Sequence, residues 1–187
     1  MAANVPPRTK PRKKKQRRPG QVPQGEAWCW QTLAMLESPA WYELIQHRVA
    51  HLILERIIVE HARNAGQDNG GLIVPYDDFV HDCGIGRGHI TEGIAIAEAL
   101  GFLVVHHGRK SRSRKHPNRY GLTFYDIAGD FETNDWAKIK SRAEAATIVE
   151  RVKARLAEEA KQRRRSPSIV PMPVPVGEEE EDVSAAS

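Results

Sequence analysis

Between Ile85 and Tyr125 the chain reads IGRGHITEGIAIAEALG, FLVVHHG, RKSRSRKHPN and RYGLTFY, an order that leaves few ways to fold. Apolar residues recur at helical spacing over 87–100. Gly101 then supplies a stop, because glycine enters the left-handed conformation that closes many helices without a steric cost. Two apolar runs follow, Phe102–His107 and Tyr120–Tyr125, separated by a polar loop at 108–119. They predict an antiparallel hairpin joined directly to the end of the helix.

Upstream, Ser38 before Pro39 has the form of a helix start, since serine caps free N–H groups and proline suits the first turn. From Ala40 the pattern runs helically to Ala65, with a break near Gln46 and a stop at Gly66. Its centre, LILERIIV at 52–59, is β-branched enough for a strand, but its length and end signals favour a buried helix. QDNGG (67–71) predicts a turn, Leu72–Val74 a short strand, and Tyr76–Cys83 a short helix ending at Gly84. Pro75 stands where a capping Ser or Thr would suit that helix. Beyond a linker at 127–135, Ser141 and Glu144 fit a capping box. Val149, Val152 and Leu156 then form a narrow apolar stripe, suited to docking on the domain, pairing with a second copy or binding a partner.

Charge is unevenly placed. The overall formal charge is only +4, yet residues 8–18 are almost all Lys, Arg and Pro, and residues 178–182 are five consecutive acids. Lys161 and Arg163–Arg165 add positives near the end, and the rest carries a slight excess of acid. The exception is the hairpin loop: no acid occurs between Glu98 and Asp126, while Arg109, Lys110, Arg112, Arg114, Lys115 and Arg119 fall within it. A mildly acidic body with one basic edge steers association with phosphates.

These features predict an α+β, mostly α fold: a winged helix-turn-helix domain over 26–126, a C-terminal helical extension over 134–163, and disordered tails. The tails are a basic arm at 1–25 and a Pro-rich, acidic segment at 164–187. At about 100° per residue, Ile90, Gly93, Ile94, Ile96, Ala97 and Leu100 face one way. Arg87, Gly88, Thr91, Glu92, Ala95 and Glu98 face the other, with His89 at the boundary. Small residues on that outer face let a backbone approach a groove wall, and arginine suits the two acceptors of guanine. Arg87, Gly88, His89, Thr91, Glu92 and Ala95 are therefore expected as reading positions. Arg109, Lys110, Arg112, Arg114, Lys115, His116 and Arg119 are expected to contact the phosphate backbone. The carboxylates of Glu92 and Glu98 weigh against groove insertion.

The segments SPAW, DNGGLIVPYDDFV, GIGRGHI, EALGFLVV and HPNRYGLTF resemble a group of little-characterised bacterial winged-helix proteins. More distantly they are similar to the winged N-terminal domains of plasmid and phage replication initiators. The resemblance covers roughly 27–160, including TNDW, and implies DNA as ligand with Arg87–Glu92 reading and Arg109–Arg119 as the wing. It implies replication initiation or its control for a plasmid, phage or integrated element. Transcriptional regulation is the alternative, and a protein-docking adaptor using the winged domain and the C-terminal helix is a rival of another class. RNA binding rests on the basic arm alone.

No constellation points to catalysis, a metal or a cofactor. His47 and His51 sit four apart, but HRVAH lacks the glutamate of a zinc-protease motif. His81, Cys83 and His89 can approach one another near the short turn, and His106, His107 and His116 lie in the hairpin, but no metal site is expected from them. Asp77 and Asp78 suit a helix's first turn. The two cysteines form no CxxC pair and are expected as buried or idle thiols. No apolar run reaches the roughly 20 residues of a membrane span. The expected partner is double-stranded DNA, with a homodimer or a replication or transcription partner through residues 141–160, and the expected location is the cytoplasm, on the nucleoid.

Overall fold

The computed structural model describes residues 28–108, 117–127 and 131–165. Among these the protein is mixed α+β and mostly helical. The order is α1 (Leu33–Leu36), α2 (Pro39–Leu44), α3 (Arg48–Arg63), α4 (Tyr76–His81), α5 (Arg87–Ala99), β1 (Leu103–His106), β2 (Arg119–Leu122), a 3-10 turn at Asp135–Lys138, and α6 (Arg142–Arg165). The basic arm at 1–25 and the tail beyond Arg165 lie outside the described residues, as do Arg109, Lys110, Arg112, Arg114, Lys115 and His116.

Local chemistry explains most boundaries. Ser38 Oγ accepts from the Trp41 N–H at 3.1 Å, and Pro39 takes the first helical position. The helical run is cut at the expected break near Gln46: the N–H groups of Gln46 and His47 turn back onto the carbonyls of Glu43 and Leu44 at 3.0 and 2.9 Å. α3 then restarts at Arg48. Its β-branched centre is helical and buries Ile53, Leu54, Ile57 and Ile58 completely. α5 crosses α3 at Gly93, where an added Cβ would stand 2.7 Å from both Ile53 and Val49. At that distance the Ile53 and Val49 side chains would have to leave their places or the helices part, so glycine allows the close approach of the two helices.

β1 and β2 pair antiparallel, with Leu103 opposite Leu122 and His106 opposite Arg119. Both are shorter than the sequence suggests, and the expected strand at Leu72–Val74 is reduced to one bridge, Leu72 to Tyr120. The cause is Asn69. Its buried amide donates to the carbonyls of Leu122, Tyr125 and Asp126 at 2.9, 3.1 and 3.0 Å, and its Oδ1 accepts from the Leu122 N–H at 2.7 Å. Gathering three carbonyls on one side chain curls the chain after Leu122, so Thr123–Tyr125 turn instead of extending. At the other end, Gly108 N–H donates to Asn118 Oδ1 at 3.1 Å, closing the neck of the hairpin loop.

α6 is not a free extension. Ser141 Oγ accepts from the Glu144 N–H at 3.1 Å, and the Glu144 carboxylate accepts from the Lys140 N–H at 2.8 Å. This is the anticipated capping box with its return bond one residue early. The helix packs on α2 and α5, burying Ala145, Val149 and Val152 in the main core. The Arg142 guanidinium lies 4.1 Å from the centroid of the Tyr42 ring, a cation–π contact that fixes its start. Among the described residues no helix is long and apolar enough to cross a membrane.

Candidate nucleic-acid interface

The first two turns of α5 are its solvent-facing part. Arg87, Gly88, His89, Thr91 and Glu92 are exposed. Ala95, grouped with them by helical geometry, is buried at 8% exposure. Helical geometry gives the angle of Ala95 about the axis but not its cover, and α6 packs against α5. Ala95 is therefore withdrawn from the reading positions. Glu98 is likewise turned to structural use: its carboxylate accepts from the Val105 N–H at 3.3 Å, tying α5 to β1. What stays open is the N-terminal end, where a recognition helix meets base edges.

α5 begins without a side-chain cap, at Gly86. Its first N–H groups are thus left to solvent or to an anion, and the helix dipole favours the latter. Arg87 is 65% exposed but paired: its guanidinium meets the Asp77 carboxylate of α4. α4 is in turn held by Arg56 of α3, only 6% exposed, whose Nη2 and Nε reach Asp78 and Asp82 at 2.8 and 3.0 Å. Arg56 Nη1 takes Glu60 at 2.9 Å. Burial works against this charge, but the hydrogen bonds to Glu60 and Asp82 and the fields of Glu60 and Asp78 outweigh it, so its pKa is raised. The adjacent acids Asp77 and Asp78 thus look in different directions, one toward the helix α5 and one toward the core.

Cations that sequence reasoning did not assign to this face come from two other helices. On one side, a groove of about 230 Å³ is lined by His47 and Arg48 at the start of α3 together with His89, Glu92 and Gly93. On the other, a groove of about 580 Å³ is lined by Gly88, Thr91 and Glu92 opposite Lys153, Leu156, Ala157, Ala160, Arg163 and Arg164. Helical spacing in α6 hinted at this: Lys153, Leu156, Ala160 and Arg163 fall three or four apart, so one face carries them all. That this face meets α5 is a tertiary fact. Arg119, at the neck of the hairpin, is exposed beside the equally exposed His106 and His107. The loop cations Arg109, Lys110, Arg112, Arg114 and Lys115, with His116, lie outside the described residues.

Of the histidines, His61 is buried at the far end of α3, stacked on Tyr125 with ring centroids 4.3 Å apart. Burial lowers its pKa, and a backbone hydrogen bond at Gly66 opposes this in part. Cys29 is exposed and Cys83 half-buried, both as free thiols. Among the described residues no three His, Cys, Asp or Glu gather as a metal site. The arrangement brings together an open helix end, small side chains, Arg48 on one flank and Lys153, Arg163 and Arg164 on the other. Comparison with protein-family models, with curated proteins and with solved structures returns no match for this chain.

Proposed function

We propose that the protein is a non-enzymatic double-stranded DNA-binding protein of winged helix-turn-helix type. In this reading the exposed start of α5 enters the major groove, and the hairpin loop at 108–119 lies on the neighbouring backbone. The observation that carries it is the setting of Arg87–Glu92. Five exposed residues at an uncapped helix end are flanked by Arg48 on one side and by Lys153, Arg163 and Arg164 on the other. Groove binding needs such a layout, because base edges are read from a helix end while phosphates on both strands are met by cations beside it. Replication initiation or its control is the biological role proposed, on the strength of the resemblance noted above, with transcriptional regulation as the alternative.

The test is binding of the full chain to random-sequence duplex across a salt series. With about six phosphate contacts, log Kd should rise with log salt at a slope of roughly 5. The combined change Arg48→Ala, Arg163→Ala and Arg164→Ala should weaken all sequences alike and flatten that slope by about 2 to 3. A full chain that does not bind duplex at low salt would end this reading.

One observation favours the adaptor as a second reading. Trp28 and Trp30, 55% and 41% exposed, line a groove of about 560 Å³ with His61, Arg63 and Tyr125. Exposed tryptophans around a concavity are typical of protein contact surfaces. Loss of partner capture on Trp28→Ala and Trp30→Ala, with duplex binding intact, would support it.

A further inference from the structure

The groove between α5 and α6 has an apolar floor, and nothing among the described residues fills it. Gly88 and Thr91 stand on one wall, and Leu156, Ala157 and Ala160 on the other, with Lys153, Arg163 and Arg164 at the rim. The rim is not purely basic, since Glu92 and Glu159 also line it, and Glu159 lies within 3.8 Å of Arg163. α6 is described to Arg165, beside the last groove-lining residues, and 22 residues of the sequence lie beyond it. Those residues read SPSIVPMPVPVGEEEEDVSAAS: an apolar stretch with a proline at every second position, then five acids.

We propose that this C-terminal segment is the occupant of the groove, folding back along α6 and competing with nucleic acid for the same face. The inference rests on the DNA-binding reading for its competitor, but the docking itself does not.

Three features select this occupant. The first is attachment: a segment tethered at the mouth of a groove meets it at an effective concentration no separate ligand easily matches. The second is length. From Lys153 to Arg164 the groove runs along about 17 Å of helix at 1.5 Å per residue. Residues 169–176, at roughly 3.1 Å per residue in polyproline form, extend about 25 Å. A reversal over Ser166–Ser168 therefore lays Val170–Val176 against Leu156, Ala157 and Ala160 with length to spare. The third is charge. Glu178–Asp182 then emerge toward Lys153 and on toward Arg48, whose groove meets the first at Glu92. Proline-rich chain suits the role because it loses little conformational freedom on docking.

The experiment uses two full-length variants, neither of which alters the described fold. One neutralises the acids (Glu178, Glu179, Glu180 and Glu181→Gln, Asp182→Asn). The other removes the apolar stretch and keeps the acids (Val170, Met172, Val174 and Val176→Ser). Amide resonances of Gly88, Thr91 and Leu156–Ala160 are compared with the parent protein, and affinity for a short random-sequence duplex is measured for all three. Docking predicts that both variants shift those resonances and that both bind duplex more tightly, by about tenfold.

Unchanged resonances in both variants overturn the proposal, even if neutralisation tightens duplex binding, since simple repulsion between acids and phosphate would then suffice. Resonance shifts that depend on protein concentration also overturn it, in favour of a tail supplied by a second copy. Should no variant bind duplex while the resonances shift, the docking stands and the DNA reading falls.

Discussion

Arg87, the first residue of α5, donates a hydrogen bond from its guanidinium to the carboxylate of Asp77 in the first turn of α4. The pair joins the open end of the candidate reading helix to the element before it. Both side chains are about two-thirds exposed, so the contact holds a direction more than it adds stability. With five N–H donors on its guanidinium, Arg87 in the proposed reading keeps Asp77 on one edge while another edge meets the two acceptors of a guanine.

Removing the partner should therefore change binding and spare the fold. Asp77→Asn is expected to tighten binding to all duplexes several-fold at low salt, by deleting a negative charge and releasing a positive one, and to reduce discrimination among sequences. Arg87→Ala should lower discrimination and affinity together. Thermal unfolding of either variant should stay within about 0.5 kcal/mol of the parent. A titration against a pool of random duplexes reads both effects; a sequence profile left intact by Arg87→Ala would remove it from the reading positions.

Arg56 carries a different weight. Its three nitrogens each serve a different carboxylate, Glu60, Asp78 and Asp82, from a position only 6% exposed. Arg56→Ala is expected to cost about 2–4 kcal/mol, below the full value for stranding a buried charge because Asp78 and Asp82 can still reach water. Arg56→Lys should recover less than half, since one ammonium cannot span three partners in a fixed fork. Urea unfolding measures both. Full recovery by lysine would show that only charge matters here.

Asn69 is the junction of the hairpin base. Asn69→Ala leaves the Leu122 N–H and three carbonyls without their partner, and Asn69 is 4% exposed. A loss of about 2–4 kcal/mol follows from unsatisfied groups of this kind. Hydrogen exchange should rise first in β2 and at Leu72, which are held to the same turn.

Stability should also respond to pH through His61. Burial lowers its folded-state pKa beneath the ordinary value of about 6.5, so below that pH the unfolded chain takes up a proton that the folded chain refuses. The contribution is thus fully present above about pH 6.5 and declines as pH falls from there to the lowered folded value, beneath which it levels off. His61→Phe keeps a ring against Tyr125 and should flatten the curve in that window. Denaturant midpoints at several pH values give the answer; a parent protein equally stable on both sides of pH 6.5 would contradict it.

Much of this molecule is written locally. The cap at Ser38, the break near Gln46, α5 with its glycine stop and the Ser141–Glu144 cap all depend on residues within one or two turns of each other. A short-range pattern suffices for them. Sequence reading erred where a distant partner intervened: β2 ends at Leu122 because Asn69, 53 positions away, bonds to its carbonyl oxygen.

Tertiary structure alone decided which part of α5 faces outward. A helical wheel gives the angles of Ala95 and Thr91 about the axis and assigns both to one face, but what covers that face is set by α6, whose apolar stripe had three destinations open to it. The same packing brought Arg163 and Arg164 alongside Gly88, and the α3–α5 crossing at Gly93 brought Arg48 near His89. Periodicity encodes that a stripe must be buried, because apolar surface leaves water; it does not encode against what. That choice belongs to the shapes of the complete fold, and with it went the composition of the candidate interface.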